Sequence, residues 1–109
     1  MKSLAYIITR QNVSELLEEN IIEPILTGEA GVRTTALYFV GDGVYYLIKG
    51  NRNAKNIKSI IKKGLTKFFV CETSVKNRKL QNVLIDGIVL GTMKDFLDVA
   101  ASSDHIISL

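Results

Sequence analysis

Residues 67–78 read KFFVCETSVKNR, and this stretch holds the only cysteine of the chain. The apolar run Phe68-Phe69-Val70 predicts a buried strand, and the polar residues after Cys71 predict the start of a short helix. Cys71 is therefore expected at the carboxyl edge of a sheet, where helical N–H groups and nearby cations favour the nucleophilic thiolate. The same local pattern also fits an inert core cysteine, because free cysteines are among the most buried residues.

Strand and helix patterns alternate along the rest of the chain. Short apolar runs predict strands at residues 4–8, 35–40, 67–71 and 105–109. Amphipathic spacing predicts helices that begin after Asn12, over residues 54–63 and after Thr92, and Pro24 must end or kink the first or open a new turn. Residues 83–90 fit either a hairpin or one irregular strand. This alternation predicts an α/β fold, a mostly parallel sheet of about five strands with helices on both faces.

The segment Gly41-Asp42-Gly43 leaves two structures open. Apolar and aromatic runs lie on both sides of it, which is typical of a β-hairpin, and propensity alone favours that structure. Alternatively, Asp42 caps a helix that ends at Gly50, with the two flanking glycines allowing the tight turn. Ligand sites in parallel sheets gather at the carboxyl ends of strands, and both this segment and Cys71 follow such ends.

Composition narrows the class of protein. The chain has 109 residues, 47% of them hydrophobic, which predicts one domain over positions 1–109. Its single cysteine excludes an intramolecular disulfide, and its single histidine excludes a histidine cluster for a metal. His105 is too isolated in sequence to be assigned as a base for Cys71. No glycine-rich phosphate loop is present either, so we expect no cofactor.

Charge and hydropathy indicate the partners and the compartment. The net charge of +3 is mild and no basic and aromatic residues interleave, so nucleic-acid binding is not expected. No apolar segment is long enough to span a bilayer, and the first residues lack a signal-peptide pattern. We therefore expect a soluble, cytoplasmic protein with no membrane partner.

Four short motifs carry a family resemblance, and their order matters more than any one of them. The first is an N-terminal strand followed by a helix. The second is YFVGDGV at residues 38–44, and the third is FVC at residues 69–71 followed by Ser74 and Arg78. The fourth is the ending AASSDHIISL at residues 100–109. In this order they resemble the DsrE/DsrF-like sulfur-relay family, which includes the TusD type.

The resemblance implies both a fold and an activity. It implies a DsrE-like sheet flanked by helices, with a helix rather than a hairpin after Asp42. In active family members the cysteine that matches Cys71 carries a persulfide and hands sulfane sulfur onward. This implies a sulfurtransferase-like carrier that exchanges sulfur with a donor or acceptor protein. Some family subunits lack the cysteine, so the alternative is a non-catalytic scaffold or small-ligand-binding subunit with an inert Cys71.

The candidate site consists of the catalytic Cys71 and the binding residues Asp42, Gly43, Ser74 and Arg78. Backbone groups at Asp42 and Gly43 could line the thiol pocket, and Ser74 could donate a hydrogen bond to the sulfur. Arg78 could stabilise the persulfide anion or help to dock an acidic partner. The structural alternatives are a helix N-cap for Asp42, a cap-region hydroxyl for Ser74 and a solvated helix face for Arg78.

Glu72 departs from the family pattern, in which we expect a small residue after the cysteine. A carboxylate beside the thiol opposes formation of the thiolate. We therefore expect a moderate rather than an extreme lowering of the Cys71 pKa.

The resemblance also implies assembly into homo- or hetero-oligomers. Large apolar and aromatic residues cluster at Tyr38, Phe39, Tyr45 and Tyr46. They represent more apolar surface than one small sheet easily covers, and exposed patches of this kind mark interfaces. We therefore predict a homo-oligomer.

Overall fold

A parallel sheet lies at the centre of the computed structural model, which describes residues 2–12, 14–28, 32–64 and 66–109. Within these ranges the sheet has five strands, β1 (Lys2–Ile8), β2 (Val32–Phe39), β3 (Lys67–Cys71), β4 (Val89–Gly91) and β5 (His105–Ser108). They lie in the order β4-β3-β2-β1-β5, and each pair of neighbours is parallel. The predicted α/β fold with a parallel sheet is confirmed.

Helical segments connect the strands. They are α1 (Ser14–Leu17), a π-helical segment (Glu18–Ile22), α2 (Glu23–Thr27), a 3₁₀ helix (Gly41–Leu47), α3 (Ala54–Lys63), α4 (Glu72–Asn77) and α5 (Met93–Ala100). The predicted helix at residues 54–63 is confirmed at both ends. Thr92 caps α5 as predicted, and Asp95 completes a capping box. Among the described helices, none is long and apolar enough to cross a membrane.

Pro24 opens a new helical segment instead of ending the first one. It lies in the first turn of α2, directly after the π-helical segment. Proline lacks an N–H, and its ring clashes with the carbonyl four residues earlier in a regular α-helix. The wider π turn gives the chain room at that carbonyl, so the helical backbone continues without a break through residues 14–27.

The two faces of the sheet carry cores of different size. Along β3, Phe68 and Val70 belong to the larger core, whereas Phe69 belongs to the smaller one and Cys71 packs against it. This alternation is the period of two that a strand requires. The larger core is closed by α1, the π-helical segment, α2, the 3₁₀ helix, α3 and α4. In the described part of the chain, α5 is the helix that covers the second face, through the buried Phe96 and Ala100.

The hairpin considered for residues 83–90 does not form. Only β4 joins the sheet from this region, as a parallel edge strand beside β3. Leu84 instead makes an isolated antiparallel bridge with Ile48. A parallel strand needs a connection that runs back along the sheet, and the residues before β4 supply the end of that connection.

The segment after β2 is helical, so the hairpin considered there does not form. The N-cap role predicted for Asp42 is also wrong. The 3₁₀ helix spans Gly41–Leu47, its N-cap residue is Val40, and no side chain caps it. Asp42 lies inside the first turn, so its carboxylate is free to reach another element. Gly41 takes a left-handed backbone with φ 59°, which glycine adopts at no steric cost.

Gly43 is required by a close approach between the 3₁₀ helix and β1. A Cβ atom at this position would lie 2.2 Å from the carbonyl oxygen of Ile8 and 2.9 Å from its carbonyl carbon. Both atoms belong to the backbone at the carboxyl end of β1, which pairs with strands on both sides, so they cannot move aside. Gly43 therefore sets how closely the 3₁₀ helix packs on the sheet.

We predict that Gly43→Ala lowers the free energy of unfolding by about 3 kcal/mol, the upper end of the cost of overpacking a core. Helix propensity alone would favour alanine over glycine at this position. Denaturant melts of the variant and the wild type measure the difference. Gly64→Ala is the control, because it adds only left-handed strain at φ 68° with no atom within 4 Å. A smaller loss for Gly43→Ala than for Gly64→Ala would contradict the packing argument.

Candidate functional site

Cys71 joins the end of β3 to the beginning of α4. It is the N-cap residue of α4 and has an extended backbone, with φ −66° and ψ 115°. Its Sγ accepts a hydrogen bond from the N–H of Ser74 at an N···S distance of 3.5 Å. In most helices a serine, threonine or aspartate oxygen receives this bond, so the sulfur here acts as the helix cap. Cys71 is half-buried, and the predicted partial exposure is confirmed.

Tyr38 belongs to the site, although its sequence pattern predicted that it lies at an oligomer surface. Its ring belongs to the smaller core against which Cys71 packs, and the phenol and the thiol influence each other's pKa. The register explains the contact, because Tyr38 pairs with Phe69 and Cys71 lies two residues further along β3, on the same face. The Tyr38 ring stacks on Phe96 of α5 with centroids 5.4 Å apart. The alternation of side chains along β2 and β3 predicts this contact once the two strands are aligned as neighbours.

Opposing effects set the acidity of the thiol. Partial burial raises the pKa of Cys71, as expected for a group that becomes charged on losing its proton. Hydrogen bonds from the Ser74 hydroxyl and N–H, the Tyr38 hydroxyl and the Thr73 N–H outweigh burial, and the net pKa is lower than the ordinary value. For Tyr38, burial and then the bond to Cys71 raise the pKa well above its usual range. The phenol therefore keeps its proton while the thiol ionises.

Ser74 ties the ends of two strands together. Its Oγ accepts a hydrogen bond from the N–H of Gly41 at 2.9 Å, and Gly41 follows β2. The side chain is buried, with 7% of the residue exposed. Ser74 therefore contacts the sulfur through its N–H and anchors the turn after β2 through its hydroxyl, whereas its role in binding persulfide stays a prediction.

Arg78 and Asp42 form an ion pair beside the site. Their side chains meet at 3.0 Å, with Arg78 largely covered and Asp42 mostly exposed. The guanidinium also donates to the carbonyl oxygen of Ser74 at 3.2 Å and lies over the ring of Tyr45. Arg78 is therefore linked to the sulfur through Ser74, and its charge is already matched by Asp42. A direct role for either residue in binding persulfide stays a prediction.

Glu72 is paired rather than facing the thiol unopposed. Its carboxylate lies 3.0 Å from the ammonium of Lys76, one turn along α4. Both side chains are exposed, so the pair contributes little to stability. It does compensate the negative charge that the sequence places next to Cys71.

His105 lies far from the thiol across the sheet. It is the first residue of β5 and pairs with Leu4, near the amino end of β1. Cys71 is the last residue of β3, and both β2 and β1 separate the two strands. His105 is therefore no base for Cys71. Within the described ranges, no group of three or more His, Cys, Asp or Glu side chains could hold a metal ion.

The chain belongs to the DsrE/DsrF-like family, whose model matches residues 7–109. The motifs in the sequence therefore identified the right family, and membership suggests a role related to sulfur relay. A comparison with curated protein sequences found no significant match.

Solved structures of similar fold come from three different organisms. The YchN protein of E. coli matches with a TM-score of 0.72 at 17% identity, and the alignment covers all of both chains. MTH1491, a protein of unknown function from Methanobacterium thermoautotrophicum, matches at 0.73 and 12% identity over 98% of this chain and 99% of its own. BT1422 from Bacteroides thetaiotaomicron, also of unknown function, matches at 0.73 and 13% identity over 99% and 95%. At these identities the likeness shows the fold alone.

We predict that Ser74→Ala lowers the free energy of unfolding by about 1–3 kcal/mol, because it leaves the Gly41 N–H without its partner. The same variant raises the thiol pKa, since the sulfur loses one hydroxyl donor. Thr73→Ala is the matched control, because Thr73 is exposed and gives the thiol only its backbone N–H. Denaturant melts and thiol alkylation against pH measure the two effects. Equal behaviour of the two variants would contradict the role given to Ser74.

Proposed function

We propose that the protein is a sulfur carrier of the sulfurtransferase type, which holds sulfane sulfur as a persulfide on Cys71 and passes it to a partner thiol. One observation carries the proposal: Cys71 is partly exposed, and its sulfur accepts a hydrogen bond from the Ser74 N–H in surroundings that lower the thiol pKa. Reactive cysteines need both access and thiolate character. Family membership supports the same activity.

The chemistry is a pair of sulfur exchanges that need no cofactor. In loading, the Cys71 thiolate attacks the outer sulfur of a donor persulfide, and the donor leaves as a thiolate. In unloading, an acceptor thiolate attacks the outer sulfur on Cys71, a new S–S bond forms, and the Sγ–S bond breaks with its electron pair on Sγ. The proton stays on the transferred sulfur in both steps, so no oxidant or reductant is consumed. Both rates depend on the thiolate character and accessibility of the reacting sulfurs.

The surroundings of Cys71 favour a protein as donor or acceptor. The thiol lies at the open edge of the sheet, where a docking protein can bring its own thiol into contact. The scaffold alternative requires neither exposure nor several hydrogen bonds to the sulfur, so the carrier is the better account. We infer a cytoplasmic protein, because this compartment keeps thiols reduced.

Intact mass measurement after incubation with a sulfane-sulfur donor tests the proposal. We expect the folded wild type to gain the mass of one sulfur atom, and a reductant to remove it. Cys71→Ser is the control and should gain nothing. No adduct on the wild type, together with slow alkylation of the native thiol, would leave the scaffold as the correct function.

We also propose that the protein forms a homo-oligomer, although three of the four aromatic residues first used to argue this are buried and only Tyr45 is partly exposed. Tyr38, Phe39 and Tyr46 are buried within the subunit, at 2%, 0% and 3% exposure. Large apolar side chains are exposed elsewhere on the side of the sheet covered by α5. They are Val89, Met93, Leu97 and Ile106, at 41%, 39%, 43% and 44% exposure.

These four residues (the α5 patch) provide a surface that suits a second copy of the chain. Ile106 pairs with Ala5 and Val89 with Phe69, and both partners belong to the smaller core, so the two side chains share its face. Met93 and Leu97 lie one turn apart on the one described helix that covers this face. A short helix on a broad sheet leaves apolar surface at its margins, and such surface marks interfaces.

We predict that light scattering at micromolar concentration gives a mass above that of the monomer, and that Leu97→Glu lowers it. A charge placed in an apolar interface must be desolvated, which disfavours association. Lys94→Glu is the control, because Lys94 also lies on α5 but is exposed and pairs with Asp98. A monomer mass for the wild type would contradict the proposal, and an unchanged mass for Leu97→Glu would exclude the α5 patch.

A further inference from the structure

Tyr38 lies beside Cys71, on the face of the sheet that carries the smaller core. It lies in the central strand β2, is 2% exposed, and is fixed by the stacked ring of Phe96 at an interplanar angle of 24°. A buried phenol normally has a hydrogen-bond partner, because leaving the hydroxyl unpaired is costly. Cys71 packs against the same core, two residues along β3 from the residue that pairs with Tyr38, and the phenol and the thiol influence each other's pKa.

We infer that Tyr38 is a catalytic residue of the proposed sulfur exchange, donating its O–H to Cys71 Sγ and stabilising the negative charge that the sulfur carries as nucleophile and as leaving group. This inference rests on the proposed function for the reaction, but the hydrogen bond can be tested without it. When an acceptor thiolate takes the outer sulfur, the electron pair of the Sγ–S bond goes to Sγ. A donor already aimed at Sγ stabilises that charge without reorganising.

The direction of the bond follows from the two groups. Burial keeps the phenol protonated over the pH range in which the thiol ionises, so Tyr38 donates and the sulfur accepts. A phenylalanine would fill the same space and keep the stack on Phe96 without supplying a donor. The hydroxyl is therefore separable from the packing role of the ring.

Charged side chains around the site are committed to other partners. Asp95 of α5 acts on Tyr38 electrostatically, and its carboxylate accepts the Thr92 N–H at 2.8 Å. On α4, Glu72 pairs with Lys76. Arg78 pairs with Asp42 of the 3₁₀ helix. The groups that lower the thiol pKa are therefore uncharged. Thr73 and Ser74 belong to α4, whereas Tyr38 belongs to β2.

The decisive variant is Tyr38→Phe, with Tyr6→Phe as its matched control. Tyr6 is a partly buried tyrosine on the neighbouring strand β1, packed against the larger core on the opposite face. The thiolate is followed by its ultraviolet absorbance against pH. We expect Tyr38→Phe to raise the thiol midpoint by about one pH unit, a tenfold loss of thiolate below the midpoint, as for one hydrogen bond to a charged group. Tyr6→Phe should leave the midpoint unchanged.

An unchanged midpoint in a folded Tyr38→Phe protein would overturn the inference. If that variant does not fold, the wild type decides the question through the ¹³C resonance of the Tyr38 ring carbon that bears the hydroxyl. This resonance must shift with the thiol midpoint in the wild type and show no such step in Cys71→Ser. A resonance whose chemical shift stays constant through the thiol titration would also overturn the inference.

A second readout separates this inference from the proposed function. Transfer of sulfur from loaded Cys71 to a small thiol should slow severalfold in Tyr38→Phe, because a more basic thiolate leaves more slowly. A wild type that accepts no sulfur would end the proposed function, whereas the titration would still decide the hydrogen bond. A wild type that loads while Tyr38→Phe transfers at the same rate would end only the role of Tyr38.

Discussion

The hydrogen bond from the Ser74 N–H to the Cys71 sulfur is the contact on which the rest of the site depends. It lets the last residue of β3 serve as the cap of α4, so the helix begins with no loop between. The same serine accepts the N–H of Gly41 through its hydroxyl, which joins the ends of β2 and β3. The bonds that hold the two strand ends together are therefore the bonds that orient the thiol.

Uncharged donors rather than cations stabilise the thiolate in this arrangement. The cations that the sequence placed near Cys71, Lys76 and Arg78, are each paired with a carboxylate. The Ser74 N–H bonds to the sulfur, and it lowers the thiol pKa together with the Thr73 N–H and the hydroxyls of Ser74 and Tyr38. Short-range bonds of this kind are screened by salt much less than separated surface charges, so the acidity of the thiol is tied to the folded geometry. A half-exposed sulfur with such an environment can exchange with a partner thiol that approaches the open edge of the sheet.

Local patterns in the sequence were sufficient for most of the fold. The isoleucine spacing of α3, the Thr92 cap of α5 and the apolar run of β3 are local signals, and each element formed where it was predicted. The segment after β2 was harder, because its 3₁₀ form depends on the close approach of Gly43 to Ile8, which is a tertiary contact. Asp42 was misassigned for the same reason, since its partner Arg78 is far away in sequence.

The site itself was predicted only in part. Cys71 and Ser74 are three residues apart, and a strand that runs directly into a helix brings them together without further information. Placing Tyr38 in the site required the register between β2 and β3. Its aromatic side chain suggested an oligomer interface instead. The exposed apolar surface on α5 was missed because burial depends on which helix covers which face, and local sequence does not determine that.

Thiolate absorbance measured against pH, in the native wild type and in the same protein unfolded in urea, tests the central claim most directly. The account predicts a lower midpoint for the native thiol, because hydrogen bonds to the sulfur exist only in the folded state. The unfolded chain then binds more protons between the two midpoints, so the free energy of unfolding must rise with pH across that window. A native midpoint equal to or above the unfolded one would mean that burial prevails over the hydrogen bonds. In that case Cys71 would be a core residue of the sheet and not a sulfur carrier.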